Sequence, residues 1–380
     1  MQQPLHIVMT VNAAWNIVNF RMPLVKALIA DGHRVTVLAP IDDAVVQLLE
    51  AGCEFVDLKM EKQGLNPLSE SALFLRIRSE LKQLKPDLVL SFTIKNNIFG
   101  AFAAKSLKIP FVPNVTGLGT AFLSGGILLQ IAKALYSAAF RRLPVVFFQN
   151  SDDRDLFLKL GLVEQQQAWL LPGSGIDLEY FSPVSYPEDE AGTRFLMVAR
   201  LIRDKGVIEF VEAARLLKRE NSELQFQILG AIGFANRTSI DKALVEKWSV
   251  EGVIDYLGTS EDVRVPMAAA HCIVLPSYRE GAPRTLIEGA ALARPAIATN
   301  VPGCNAVVDD GKTGFLCNVR DAEDLAQKMS HFAALTTGEK RAMGQNAREK
   351  IQCEYSVVRV IDEYRKAIGQ VANAEYSVND

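Results

Sequence analysis

Metal-ligand and disulfide patterns are missing from this 380-residue chain. Its five cysteines, Cys53, Cys272, Cys304, Cys317 and Cys353, are scattered and contain no C-x-x-C pair. That excludes a zinc ribbon and a disulfide framework, and leaves free thiols of a reducing compartment. The four histidines, His6, His33, His271 and His331, have no metal-ligand spacing. Long apolar runs are absent too. None reaches the ~20 residues that cross a bilayer, and the nearest, 127–140, is interrupted by Gln130 and Lys133. The first residues have neither a basic segment nor a small-residue cleavage site, so no secretory signal is expected. The net charge is only −3, which predicts no nucleic-acid partner.

What remains is globular: 49% of residues are hydrophobic and 22% charged, too apolar for a disordered chain. Charge is uneven. Lys and Arg outnumber Asp and Glu by 15 to 10 in residues 1–150 and are outnumbered 26 to 34 in 151–380. Short apolar runs at 6–11, 35–39, 88–91, 111–112 and 145–149 read as buried parallel strands. Between them, helical spacing predicts helices at 22–30, 43–51, 72–84, 97–107 and 127–142. The acidic, proline-containing stretch 183–192 reads as a linker. After it the alternation restarts, with strands expected at 195–199, 224–229, 254–257, 273–275, 296–299 and 314–316. The expectation is an α/β protein with two Rossmann-like parallel-sheet domains, 1–183 and 184–355, facing an interdomain cleft. A helix and tail at 356–380 are expected to cross back to the first domain. In open parallel sheets ligands lie beyond the C-terminal strand ends, so the loops after Ala199, Leu229 and Leu275 are the candidates.

The stretch after Leu275 carries the most chemistry. Glu280, Gly281 and Ala282 form a loop, Pro283 is placed to open a helix, and Glu288 falls about one turn into it. Backbone N–H groups at such a start, from Arg284 through Thr285 to Leu286, favour a phosphate. A carboxylate on either side of them suits the hydroxyls of two sugars flanking a diphosphate. Taken alone, Glu280 and Glu288 also fit capping or surface acids. Arg200 and Lys205 end another strand, where fixed cations stabilise charge growing on a departing diphosphate. Taken alone, they also fit ordinary surface bases.

The stretch from Glu280 to Glu288 resembles the E-x7-E element of family 4 retaining glycosyltransferases, which have the GT-B fold. Arg200-Leu201 with Lys205-Gly206 matches that family's R-L-x-x-x-K-G segment. The run from Leu171 through Gly175 and Asp177 to Phe181 and Pro183 matches its P-N-G-V-D-x-x-x-F-x-P run. Pro302-Gly303 and Gly311 to Gly314 fit as well. The four elements stand in the family's order. The resemblance implies that Arg200, Lys205 and Glu280 are catalytic, and that Glu288, Gly281, Ala282, Arg284, Thr285, Leu286 and Gly230 bind the donor. Retention of anomeric configuration and independence from metals or other cofactors follow from it too.

Asn19-Phe-Arg21-Met-Pro23 and the Gly117-Leu-Gly119 loop resemble the subgroup of undecaprenyl-diphosphate-bacillosamine N-acetylgalactosaminyltransferases and related O-antigen and capsule enzymes. This resemblance implies a nucleotide sugar as donor and a polyprenyl-diphosphate-linked saccharide as acceptor; the basic excess of residues 1–150 adds the expectation of a peripheral place on the cytoplasmic membrane leaflet. The first domain departs from the family in two ways. Asn12-Ala13-Ala14 stands where many members have a Gly-Gly pair, and no histidine lies near 114–120, where Thr116 or Asn114 is the alternative. Asn12, Ala13, Ala14, Arg21, Thr116 and Gly117 are the candidate acceptor or phosphate residues. Asn16 or Asn19 is expected to cap a helix, with Arg21 near its start. Membrane docking is expected from the 72–85 helix, with Leu73, Ile77, Leu81 and Leu84 on one face, and from 127–140 with Arg141 and Arg142. Asp153 and Asp155 spell the metal motif of another glycosyltransferase fold but fall at an expected helix start, where acids suit the dipole. Two rival readings remain: a nucleotide-sugar 2-epimerase of the same fold, and a non-catalytic sugar-nucleotide binding protein.

Overall fold

The structure is a computed structural model that describes residues 3–61, 67–118, 126–188, 192–233 and 238–376. The chain forms two compact units, Met1–Gly175 with Val357–Asp380, and Ile176–Ser356.

The first unit is built on seven parallel strands: β1 (His6–Thr10), β2 (Arg34–Ala39), β3 (Glu54–Asp57), β4 (Leu88–Phe92), β5 (Phe111–Val115), β6 (Val146–Phe148) and β7 (Ala168–Leu170). Their order is β3-β2-β1-β4-β5-β6-β7. Every residue of β4 and β5 is buried, as expected of strands covered on both faces. Two edge strands, β3 and β7, were not expected; both are short and partly exposed, so neither reads as an apolar run.

Helices cover both faces of this sheet. The first spans Ala14–Ala30, so the expected start at residue 22 is wrong. Pro23 lies inside it, and Ala13, not Asn16 or Asn19, is its cap residue, with no side-chain bond. Ala13 is extended at φ −166°, a conformation that needs no glycine, which explains how the Asn12-Ala13-Ala14 departure is tolerated. The helix Val357–Tyr376 belongs to this unit as well. Its Val360, Tyr364, Ala367, Ile368 and Val371 are core residues beside Phe92 and Phe147.

The second unit has six parallel strands: β8 (Arg194–Val198), β9 (Gln225–Leu229), β10 (Asp255–Tyr256), β11 (Cys272–Leu275), β12 (Ala296–Thr299) and β13 (Gly314–Cys317). Their order is β10-β9-β8-β11-β12-β13. The segment before β8 belongs here, so the unit boundary falls at Gly175–Ile176 and not at 183–184. Ile176 and Phe181 are buried in this unit's core. The buried Arg348 guanidinium donates to Phe181 O at 2.7 Å, Ala291 O at 2.6 Å and Leu178 O at 3.1 Å, which ties the segment down.

Candidate active site

In each sheet the strand order reverses once, between β1 and β4 in the first unit and between β8 and β11 in the second. At such a point neighbouring connections run to opposite faces and leave a crevice at the carboxyl ends of the strands. The loops after β8 and β11 therefore meet in the second unit, and they hold the sequence-predicted residues.

After β8 the chain passes Ala199 and the exposed Arg200, then forms a 3₁₀ turn, Arg203–Lys205, closed by Gly206 at φ +76°. The Gly206 conformation disfavours any side chain, and a Cβ there would lie 2.0 Å from Pro276 O. The turn is thus pressed against the loop after β11. Asp204 O accepts from Tyr278 N at 2.9 Å and from Ser277 Oγ at 3.1 Å, which locks the two loops together. Lys205 Nζ then meets Glu280 Oε1 in an ion pair. Glu280 N donates to Pro302 O at 3.2 Å, which places the expected Pro302-Gly303 motif behind the glutamate.

Gly281 and Ala282 turn the chain into the helix Arg284–Ala291. Thr285 Oγ1 donates to Val198 O at 2.9 Å and pins the helix start to the end of β8. Leu286 plays a different part from the one expected. Its side chain is core and its N–H donates to Pro283 O at 3.0 Å, so it offers a ligand nothing. Arg284 Nε donates to Glu288 Oε1 at 2.5 Å, one turn on. Burial raises the Glu288 carboxyl above the usual carboxylate range, an effect that Arg284 only partly offsets. Gly230 ends β9 beside this group; a Cβ there would sit 1.8 Å from Ala199 O, so only glycine allows the two strand ends to run so close.

Supporting residues in this unit were not recognised from sequence. Tyr278 OH donates to Glu209 Oε1 at 2.7 Å, and the Arg320 guanidinium lies 4.5 Å from the ring centre. Burial, with Glu209 beside it, pushes the phenol up to about 12, so it remains a donor. Nothing local marked Glu209 or Arg320, which reach Tyr278 from distant elements.

At the first unit's reversal, Asn12 and Ala13 follow β1, and Thr93 follows β4 at φ +72°. Asn96 Nδ2 donates to Thr10 Oγ1 at 2.8 Å and ties the two strand ends together. Arg21 is not near a helix start. It lies about two turns into Ala14–Ala30, buried, 4.0 Å from the Phe92 ring centre, and donates to Asn16 Oδ1 at 2.5 Å. Thr116 and Gly117 follow β5, half-buried, whereas Gly119 and Thr120 lie outside the described residues. Asn114 is not available as the stand-in for histidine, because its amide is turned inward to donate to Tyr364 OH at 2.8 Å. The Asp153 N–H donates to the capping Asn150 Oδ1 at 2.8 Å, and Asp155 pairs with Arg154.

A strand-end crevice holding three cations, two carboxylates and a helix start is equipped to grip a diphosphate and the sugar hydroxyls on either side of it. Residues 181–350 match the family described as Glycosyl transferases group 1, and residues 6–150 match Glycosyl transferase 4-like. The chain belongs to these glycosyltransferases. One relative of this glycosyltransferase is the N,N'-diacetylbacillosaminyl-diphospho-undecaprenol alpha-1,3-N-acetylgalactosaminyltransferase of Campylobacter jejuni. It is 29% identical over 84% of this chain and 87% of its own. A second, the UDP-Gal:alpha-D-GlcNAc-diphosphoundecaprenol alpha-1,3-galactosyltransferase of Escherichia coli, is 25% identical over 75% of this chain and 76% of its own. Among solved structures, Anabaena Alr3699/HepE in complex with UDP and glucose superposes with a TM-score of 0.79 at 17% identity, over 96% of this chain and 99% of that one. A Rickettsia africae glycosyltransferase gives 0.76 at 19% identity, over 97% and 99%. The fold of the glycosyltransferase is GT-B.

Proposed function

We propose that this glycosyltransferase moves a hexose or N-acetylhexosamine from a nucleotide sugar, UDP-linked, to an undecaprenyl-diphosphate-linked saccharide in surface glycan assembly. The observation that carries this reading is the cluster of Arg200, Lys205, Glu280, Arg284 and Glu288 at the second unit's strand-order reversal. Arg200 and Lys205 take the charge that grows on the diphosphate as the sugar–phosphate bond breaks. Glu280 accepts hydroxyls of the transferred sugar, and Glu288 those of the ribose. Because side chains supply the positive charge, transfer proceeds without a metal ion or other cofactor, and front-side attack retains the anomeric configuration. The lipid-diphosphate acceptor is supported by the names of the relatives from Campylobacter and Escherichia. On this reading it meets the first unit near Asn12, Ala13, Thr116 and Gly117.

The first unit would work against the anionic cytoplasmic leaflet, although not through the expected face of its helix Pro67–Leu84. Leu73, Ile77 and Leu81 are core residues, so that stripe of the helix Pro67–Leu84 is unavailable. Its exposed Leu68 and Leu75, the exposed Ile131 of the helix Gly126–Phe140, and Arg141 and Arg142 after it are the surface that suits a headgroup layer. No helix among the described residues is long and apolar enough to cross a membrane.

The test is a screen of UDP- and GDP-sugars against undecaprenyl-diphosphate saccharides, with an acceptor-free control, in EDTA and with added Mg²⁺ or Mn²⁺. Transfer that survives EDTA, with a retained linkage by NMR, is expected. Interconversion of the sugar without acceptor would instead make the protein an epimerase. Donor binding without turnover on any acceptor would make it a binding protein.

A further inference from the structure

The carboxylates of the site are already engaged by cations of the same site. Lys205 is paired with Glu280, their side chains 21% and 12% exposed. Arg284 is paired with Glu288, with 31% and 12% exposed. At such low exposure water screens a charge-assisted bond much less than on an open surface. The partners of the Lys205–Glu280 pair are set by backbone that has little room to shift, since Gly206 abuts Pro276 O and Glu280 N is bonded to Pro302 O. Any exchange of partners must come from the side chains alone.

A diphosphate and the Glu280 carboxylate compete for the one Lys205 ammonium. Lysine has three donors and can reach two acceptors at once, but that would hold two anions against each other. A nucleotide sugar resolves the conflict, because its sugar hydroxyls donate to the carboxylate that has lost its lysine. A nucleoside diphosphate has the same nucleotide and diphosphate but no sugar, and leaves that carboxylate unpaired beside phosphate charge. Glu288 faces no such difference, because the ribose assigned to it is present in both.

We propose that Glu280 is a built-in competitor of the diphosphate. It holds Lys205 in the empty site and surrenders it when donor hydroxyls occupy the carboxylate. It reclaims the lysine once the sugar has been transferred, which loosens the nucleoside diphosphate product. The pair thereby separates substrate from product by the one feature in which they differ, and makes product release part of the same side-chain movement that begins the reaction. This rests on the donor site proposed above.

The experiment is calorimetric titration of the full chain with UDP, and with GDP in parallel, for wild type, Glu280→Gln, Glu288→Gln and Glu280→Gln/Lys205→Met, each checked for folding by its thermal melt. Glu280→Gln should bind the nucleoside diphosphate roughly five- to tenfold more tightly, the scale of removing one rival for a charge-assisted bond. Glu288→Gln should bind it more weakly, and Lys205→Met should abolish the gain seen in Glu280→Gln. Unchanged or weaker nucleoside diphosphate binding by a folded Glu280→Gln, with wild type binding normally, overturns the competitor role and leaves the donor site standing. Absence of binding to either nucleotide by wild type overturns the donor site, and the competitor role with it.

Discussion

Replacing Gly206 with alanine tests how closely turnover depends on the register of the two loops. The added Cβ would lie 2.0 Å from Pro276 O, whereas an ordinary carbon–oxygen approach is about 3.3 Å. The loops must therefore part by about 1.3 Å, or the turn must abandon its φ of +76°. Either response moves Lys205 away from Glu280 and from the proposed diphosphate position. A misplacement of about 1 Å is worth roughly 10²-fold in rate. The left-handed conformation itself costs an alanine about 1 kcal/mol, and the clash brings the total to roughly 2–4 kcal/mol of stability. Gly252 is the matched control, with φ +68° and nothing within 4 Å of an added Cβ. Gly252→Ala should lose only the ~1 kcal/mol of backbone strain and keep its turnover. Urea denaturation and steady-state transfer assays on both variants separate strain from misplacement. A folded Gly206→Ala enzyme with kcat within twofold of Gly252→Ala would refute the reasoning.

Arg200→Ala should lower kcat by roughly 10²–10³, as for the loss of one charge-stabilising donor, with an unchanged melting temperature; a near-normal rate would remove Arg200 from the site. Glu288→Gln should stabilise the protein at neutral pH. Burial raises this carboxyl in the folded state, so the wild-type contribution is full below the unfolded carboxylate value and is lost as pH rises through the folded one. Melts from pH 4 to 8 should show the variant gaining on wild type with rising pH, and the opposite trend would contradict the assignment. Tyr364→Phe keeps the ring packed near Phe147 and removes the acceptor for Asn114 Nδ2. It should cost about 1–3 kcal/mol in urea denaturation, and no loss at all would mean that the amide finds another partner.

The clustering of Arg200, Lys205, Glu280 and Glu288 was legible because each lies in a short local motif whose spacing survives folding: Arg200 to Lys205 across one turn, Glu280 to Glu288 across one helix start. The central strands were legible because burial on both faces makes them continuous apolar runs. The first helix was misread because Asn16 and Asn19 were read as caps, although the chain carries both of them, and Pro23, inside the helix. That error displaced Arg21 from a buried position over Phe92 to an imagined helix start. Asn114 and Tyr364 are bonded across 250 positions of sequence. No local pattern could have paired them, or have shown that the amide beside the proposed acceptor loop is already committed.

The helix Val357–Tyr376 gives the first unit an order of assembly. Phe92 and Phe147 lean on Tyr364, yet the whole of Ile176–Ser356 is synthesised between them and it. At ribosomal speed the amino-terminal sheet must wait roughly ten to forty seconds with that side of its core open. The second unit, continuous in sequence, has no such delay and can close as it emerges. A chain ending before residue 357 would therefore present a finished second unit and a sticky, unfinished partner. Chaperones should attend the half of the protein that is made first, not the half that is made last.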